Sequence, residues 1–256
     1  MGQNHKPVQT EVETPEAAHV THARQLLRAG LTAHHPHIAL ACSFSIEDVV
    51  VIDLLAAAEP TARVFALDTG RLPEETYRCA DRLRQRYPGL VLTWYFPQAP
   101  AVQRLLDEGG PFSFRNSLEE RHACCAVRKV EPLQRALAGL DAWITGMRRD
   151  QGVTRATLAE VETDALHGGI LKYNPLAAWS AEQVWDYART RRLPIHELYE
   201  QGYRSIGCAP CTRAVQPGED DRAGRWWWER PEHKECGLHA RNAGGNDRRD
   251  KGEGEE

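Results

Sequence analysis

Three things are missing from this 256-residue chain, and each narrows what it does. No apolar run is long enough to cross a bilayer, so no helical membrane span is expected. The N-terminal stretch MGQNHKPVQTEVETPE has no apolar segment of the kind a secretory leader needs, and a cytosolic location is the expectation. Nor is there an excess of basic charge. The formal net charge is −4, which argues against broad binding to a nucleic-acid backbone. There is no internal repeat. From Ala243 the chain reads AGGNDRRDKGEGEE, too poor in apolar side chains to build a core, and disorder is expected there.

What is present is an alternation of short apolar runs with amphipathic ones. Pro15–Leu31 reads as a helix, with Thr14 as its cap and Pro15 at its first position. Strands are expected at His37–Cys42, Arg63–Asp68, Leu90–Phe96 and Asp141–Thr145. Helices are expected at Glu47–Ala58, Pro73 to near Pro88, Ala101–Glu108, Ser117–Val130 and Ser180–Arg191. Strands alternating with helices predict an α/β fold whose mostly parallel sheet carries helices on both faces. Ligands of such sheets bind outside the carboxyl ends of the strands. The turns Ser43–Ser45, Thr69–Leu72 and Gly146–Arg149 are therefore expected to line one crevice. The expected organisation is a polar segment at 1–14, an α/β domain at 15–215, a C-terminal segment at 216–242 and a disordered tail at 243–256.

The seven cysteines are unevenly placed. In a reducing compartment they are ligands, catalysts or core residues more readily than disulfides. Cys124 and Cys125 are adjacent. Cys208 and Cys211 form a CxxC more than eighty residues later. Adjacent cysteines reach a single zinc ion only with strain, whereas in an iron–sulfur cubane each thiolate binds its own iron. The pattern favours a 4Fe–4S cluster. Buried thiols beside a small redox pair remain the plainer alternative. The basic residues around the pair, Arg121, His122, Arg128 and Lys129, suit an anionic cluster, and they equally suit a solvated helix face. Cys236 stands apart, near His233, Lys234 and His239 and followed by Gly237. Cations lower a thiol pKa and raise its reactivity, so Cys236 reads as a nucleophile or as a surface cysteine.

Two turns suit anions. Ser43-Phe44-Ser45 leads into a helix N-terminus, although it lacks glycine. Gly146-Met147-Arg148-Arg149 offers two guanidinium groups, and Arg222 and Arg225 add two more beside Trp226-Trp227-Trp228.

Taken in order, SFSIEDVV, LDTGRLPEETY, CCAVRKVEPL, ITGMRRDQ, KYNPLAAWS, YRSIGCAPCT, GRWWWE and ECGLH resemble the assimilatory adenylyl-sulfate (APS) reductases, relatives of the phosphoadenylyl-sulfate (PAPS) reductases. The resemblance runs from about Ile38 to His239. It implies an adenine-nucleotide α-hydrolase-like fold and a 4Fe–4S cluster on Cys124, Cys125, Cys208 and Cys211. It also implies attack of Cys236 on the sulfur of APS, release of AMP, and thioredoxin-driven release of sulfite from an S-sulfo-cysteine. Lys129 would link cluster and substrate. Ser43, Ser45, Thr69, Gly70, Leu72, Lys129, Arg148, Arg149, Arg222, Arg225 and His239 are the expected substrate-binding residues. The loop SFSIED departs from the glycine-rich loop of ATP pyrophosphatases of this fold, which speaks against ATP hydrolysis. A PAPS or dual-substrate reductase, a tRNA-thiolating enzyme of the same fold and a zinc-stabilised binding module are the alternatives. A homo-oligomer is compatible with the sequence.

Overall fold

A computed structural model of the chain describes residues 17–152 and 155–230. The expected cap and first residue of the opening helix, Thr14 and Pro15, lie outside them, as do Cys236 and His239.

The described residues form a six-stranded sheet in the order β3-β2-β1-β4-β6-β5. Its strands are β1 (Ile38–Cys42), β2 (Arg63–Leu67), β3 (Val91–Tyr95), β4 (Ala142–Ile144), β5 (Val161–Asp164) and β6 (Ile170–Tyr173). All neighbours run parallel except β5, which pairs antiparallel with β6. The helices are α1 (Ala18–His34), α2 (Ile46–Ala58), α3 (Glu74–Arg86), α4 (Ala99–Gly109), α5 (Leu118–Cys125), α6 (Glu131–Leu137) and α7 (Ala181–Thr190). Each element expected from the sequence is present, with ends shifted by a few residues. Helix α6 and the hairpin of β5 and β6 are additional.

Helix α2 explains the layering. Its apolar residues have no preferred side, and it is buried from Ile46 through Leu55, as a helix enclosed on all sides must be. It lies between the sheet and the helices α1 and α7. Asp53, buried within it, accepts hydrogen bonds from the hydroxyls of Tyr87 (2.7 Å) and Tyr187 (2.6 Å) and pairs with Arg191. Its charge is thus compensated where an unpaired carboxylate would be costly. On the other face, Leu133, Ala136 and Leu137 of α6 pack on Ala39, Phe65 and Trp143.

The chain winds outward from β1 to β3, then crosses back to place β4 on the other side of β1. The order reverses between β1 and β4, and a crevice opens outside their carboxyl ends. Gly146, just after β4, lets the two turns meet there. A Cβ at this position would stand 2.4 Å from Asp48 Oδ1 and 3.0 Å from Glu47 Cβ. Gly146→Ala is expected to lower stability by about 1–3 kcal/mol through overpacking. The check is a shifted midpoint in denaturant unfolding; an unchanged midpoint would show that the two turns are not locked together.

Candidate active site

Outside the carboxyl ends of β1, β2 and β4 lies a cavity of about 350 Å³, within the usual range for small-molecule sites. Ser43, Ser45, Thr69, Leu72, Lys129, Arg148, Arg222 and Arg225 line it, so the structure brings eight of the expected substrate residues together. It does not place Gly70 or Arg149 on the wall. Gly70 takes a left-handed turn (φ 69°) and donates its N–H to Asp68. Arg149 is exposed and donates through Nε to the carbonyl of Leu158.

The turn into α2 is not the open anion cradle its position suggested. Three of its amides are already paired. Ser43 N–H donates to Asp48 Oδ2 (2.6 Å), Phe44 N–H to Cys42 Sγ (3.3 Å), and Ile46 N–H to the Tyr199 hydroxyl (3.0 Å). Two buried carboxylates follow in the first helical turn. Burial pushes Asp48 up to about 6 against the hydrogen bonds from Ser43. Glu47 is bound by Arg148 through Nε (3.1 Å) and Nη2 (2.9 Å). Arg148 also pairs with Asp150, so its guanidinium is a structural clamp between β4 and α2. Lys129, Arg155, Arg204, Arg222 and Arg225 are the other cations of the wall. Arg204 sits in the quoted stretch YRSIGCAPCT, where its charge was a readable signal. Nothing in the sequence pattern singled out Arg155.

A second, small and apolar cavity adjoins the first and is lined by Cys124, Cys125, Cys208 and Cys211. Lys129 and Trp226 line both cavities. The pair comes from the last turn of α5, capped at its start by Ser117, whose hydroxyl accepts from Glu120 N–H. A π-helical turn, Ala126–Val130, follows without a break into α6, and such turns recur at functional sites. It buries Arg128, which donates to the Thr69 carbonyl at 2.7 Å. The CxxC loop is tied to the β2–α3 loop by Ala209 N–H donating to the Arg71 carbonyl at 2.8 Å. The chain then returns: Thr212 bridges Arg225, and Trp226 N–H donates to the Cys211 carbonyl at 3.1 Å. Arg225 lies flat on Gly207, where a Cβ would stand 2.5 Å from Nη2. Arg121 is buried against Trp226 and paired with Glu229, while His122 is exposed.

The thiols feel opposed forces. Burial raises Cys124, and burial with the neighbouring Cys208 pushes Cys211 up to about 12. Burial also works against Cys208, but Lys129, the Thr69 hydroxyl 3.2 Å away, Arg225 and Arg128 outweigh it and leave that thiol below its ordinary value. Among the described residues no three His, Cys, Asp or Glu side chains form a group that could hold a metal ion. The donor set around the cavity nevertheless suits an anionic iron–sulfur core. It comprises four thiols, four flanking cations (Arg71, Arg121, Arg128, Lys129), and two buried N–H groups, Arg128 Nε and Trp226 Nε1, with no hydrogen-bond partner among the described residues.

Residues 37–214 match the family model described as phosphoadenosine phosphosulfate reductase domain. The chain is 47% identical to an adenosine 5′-phosphosulfate reductase of Burkholderia cepacia over 88% of its own length and 90% of that protein. It is 50% identical to one of Allochromatium vinosum, covering 80% and 79% of the two chains. Among solved structures it is similar in fold to a PAPS reductase from Candida auris, with a TM-score of 0.63 at 24% identity over 79% of this chain and 98% of that one. The chain belongs to the phosphoadenosine phosphosulfate reductase family, among the oxidoreductases named adenosine 5′-phosphosulfate reductase.

Proposed function

We propose that this protein reduces APS to sulfite and AMP with electrons from thioredoxin, in cytoplasmic sulfate assimilation leading to cysteine. Cys236 is the nucleophile, and Cys124, Cys125, Cys208 and Cys211 hold a 4Fe–4S cluster. One observation carries this reading: four cysteines from two distant segments line a cavity that shares Lys129 and Trp226 with a nucleotide-sized one. The relatives named adenosine 5′-phosphosulfate reductase support APS as the substrate.

The chemistry needs cations. The sulfur of a phosphosulfate is shielded by anionic oxygens, and preorganised positive charge lowers the cost of bringing a thiolate to it. Lys129, Arg222 and Arg225 stand on the cavity wall for that task. Cys236 Sγ attacks the sulfur, an S–S bond forms, and the S–O bond to AMP breaks. AMP leaves with the electron pair. A thioredoxin thiolate then attacks Cys236 Sγ, and sulfite leaves with the electrons of the S–S bond. The second thioredoxin thiol displaces Cys236, so the two electrons come from the dithiol. An iron–sulfur group held by the four cysteines would supply fixed charge beside the larger cavity, and Lys129 lines both cavities. Nearby in sequence no second cysteine resolves the adduct, since Cys211 is the nearest upstream thiol and serves the cluster.

With APS and no thioredoxin, one AMP per site is expected, with the mass of SO3 added to the peptide that holds Cys236. Mass spectrometry of the quenched reaction decides it; AMP release without an adduct would point to attack by another nucleophile, such as water. Cys236→Ser should make no sulfite yet keep APS binding and iron, because a serine hydroxyl is a far weaker nucleophile at neutral pH.

Protein purified without oxygen is expected to be brown and to carry about four irons and four sulfides per chain. Cys125→Ser should lose iron and most activity together. Stoichiometric zinc without a visible absorption band would refute the cluster assignment.

A further inference from the structure

Beside the cysteine cavity lies a surface that neither cavity uses. Phe112 is 60% exposed and Trp227 is 39% exposed. Between them the Arg115 guanidinium stands over four rings: Phe112 (5.6 Å), Phe114 (5.6 Å), Trp227 (5.7 Å) and Trp228 (5.4 Å). Arg115 is exposed and has no carboxylate partner among the described residues; it donates instead to the Pro210 carbonyl at 3.2 Å, inside the CxxC loop. The neighbouring Pro111 carbonyl accepts from Arg71 Nη2 at 2.5 Å. Phe114 and Ser113 are buried beneath. The platform is therefore held from below, and its aromatic faces stay exposed although the backbone that carries them is fixed.

Rigid exposed aromatics around an arginine are the composition of interface hot spots. The position along the chain says which partner. Cys236 lies nine residues past Trp227. Nine extended residues span about 30 Å, so Cys236 cannot lie farther than that from the platform. A protein that brings a thiol to Cys236 therefore comes within about 30 Å of this platform. We propose that Phe112, Arg115 and Trp227 form the docking surface for the dithiol protein that discharges Cys236, and that the partner meets it with an apolar face carrying a carboxylate opposite Arg115. This rests on the functional reading above. The electrons and atoms are those already given: docking raises the local concentration of the attacking thiolate and changes no bond.

The experiment compares wild type with Phe112→Ser and Trp227→Ser, on side chains that line neither cavity. Three quantities are measured: AMP released by APS without reductant, sulfite released with thioredoxin, and sulfite released with dithiothreitol. Both variants are expected to release AMP within about twofold of wild type and to respond to dithiothreitol as wild type does. Their KM for thioredoxin should rise about tenfold or more, the scale of a lost hot spot. An unchanged KM with normal AMP release overturns the docking assignment. So does a KM that stays unchanged while size-exclusion chromatography shows wild-type self-association lost in the variants, since a second copy would then be the occupant. If wild type itself releases no AMP from APS, the functional reading fails first, and the two failures are told apart.

Discussion

Burial in an apolar cavity works against the ionisation of thiols, and positive charge gathers at the cysteine cavity to oppose it. Burial holds Cys124 above its ordinary value and takes Cys211 to about 12. A thiol must be a thiolate to bind metal. Positive charge is what offsets the burial, and it converges from separate parts of the chain. Arg128 and Lys129 come from the π-helical turn, Arg71 from the loop after β2, and Arg225 from the strand-like return that ends at Trp226. Cys208 shows the balance tipping, since its cations carry it below normal in spite of burial.

Lys129 faces two neighbours because the topology puts the cavities side by side. The reversal of strand order between β1 and β4 opens the larger cavity, and the helix that crosses back to β4 carries the cysteine pair to its edge. Lys129, four residues beyond Cys125, then stands on both walls. Charge on one side of this lysine is felt on the other at distances where a protein interior screens weakly.

Much of this was legible in the residues. The alternation HIALAC, EDVVVIDLLAAA, RVFALD read as a strand–helix–strand unit of a parallel sheet, and the CC and CxxC spacings pointed to one site. The hairpin of β5 and β6 was not legible. VETD and ILKY are four residues each, carry charges, and are only half buried, so neither shows the apolar run of a central strand. The π-helical turn was also invisible, because AVRKV has the composition of an ordinary helix. At the site, the local pattern showed which side chains carry charge but not how that charge is used. Arg148 looked like an anion ligand, and only tertiary contact with Glu47, 101 residues away, makes it a clamp. The serine turn looked like a phosphate cradle until Asp48, Cys42 and Tyr199 were seen to occupy its amides.

An anaerobic assay of sulfite release from APS and from PAPS, with thioredoxin supplied, tests the proposed chemistry most directly. Sulfite and AMP are expected in equal amounts from APS, over many turnovers and only while thioredoxin is present. Intact APS after prolonged incubation with iron-loaded protein and reduced thioredoxin, or sulfite from PAPS alone, would contradict it.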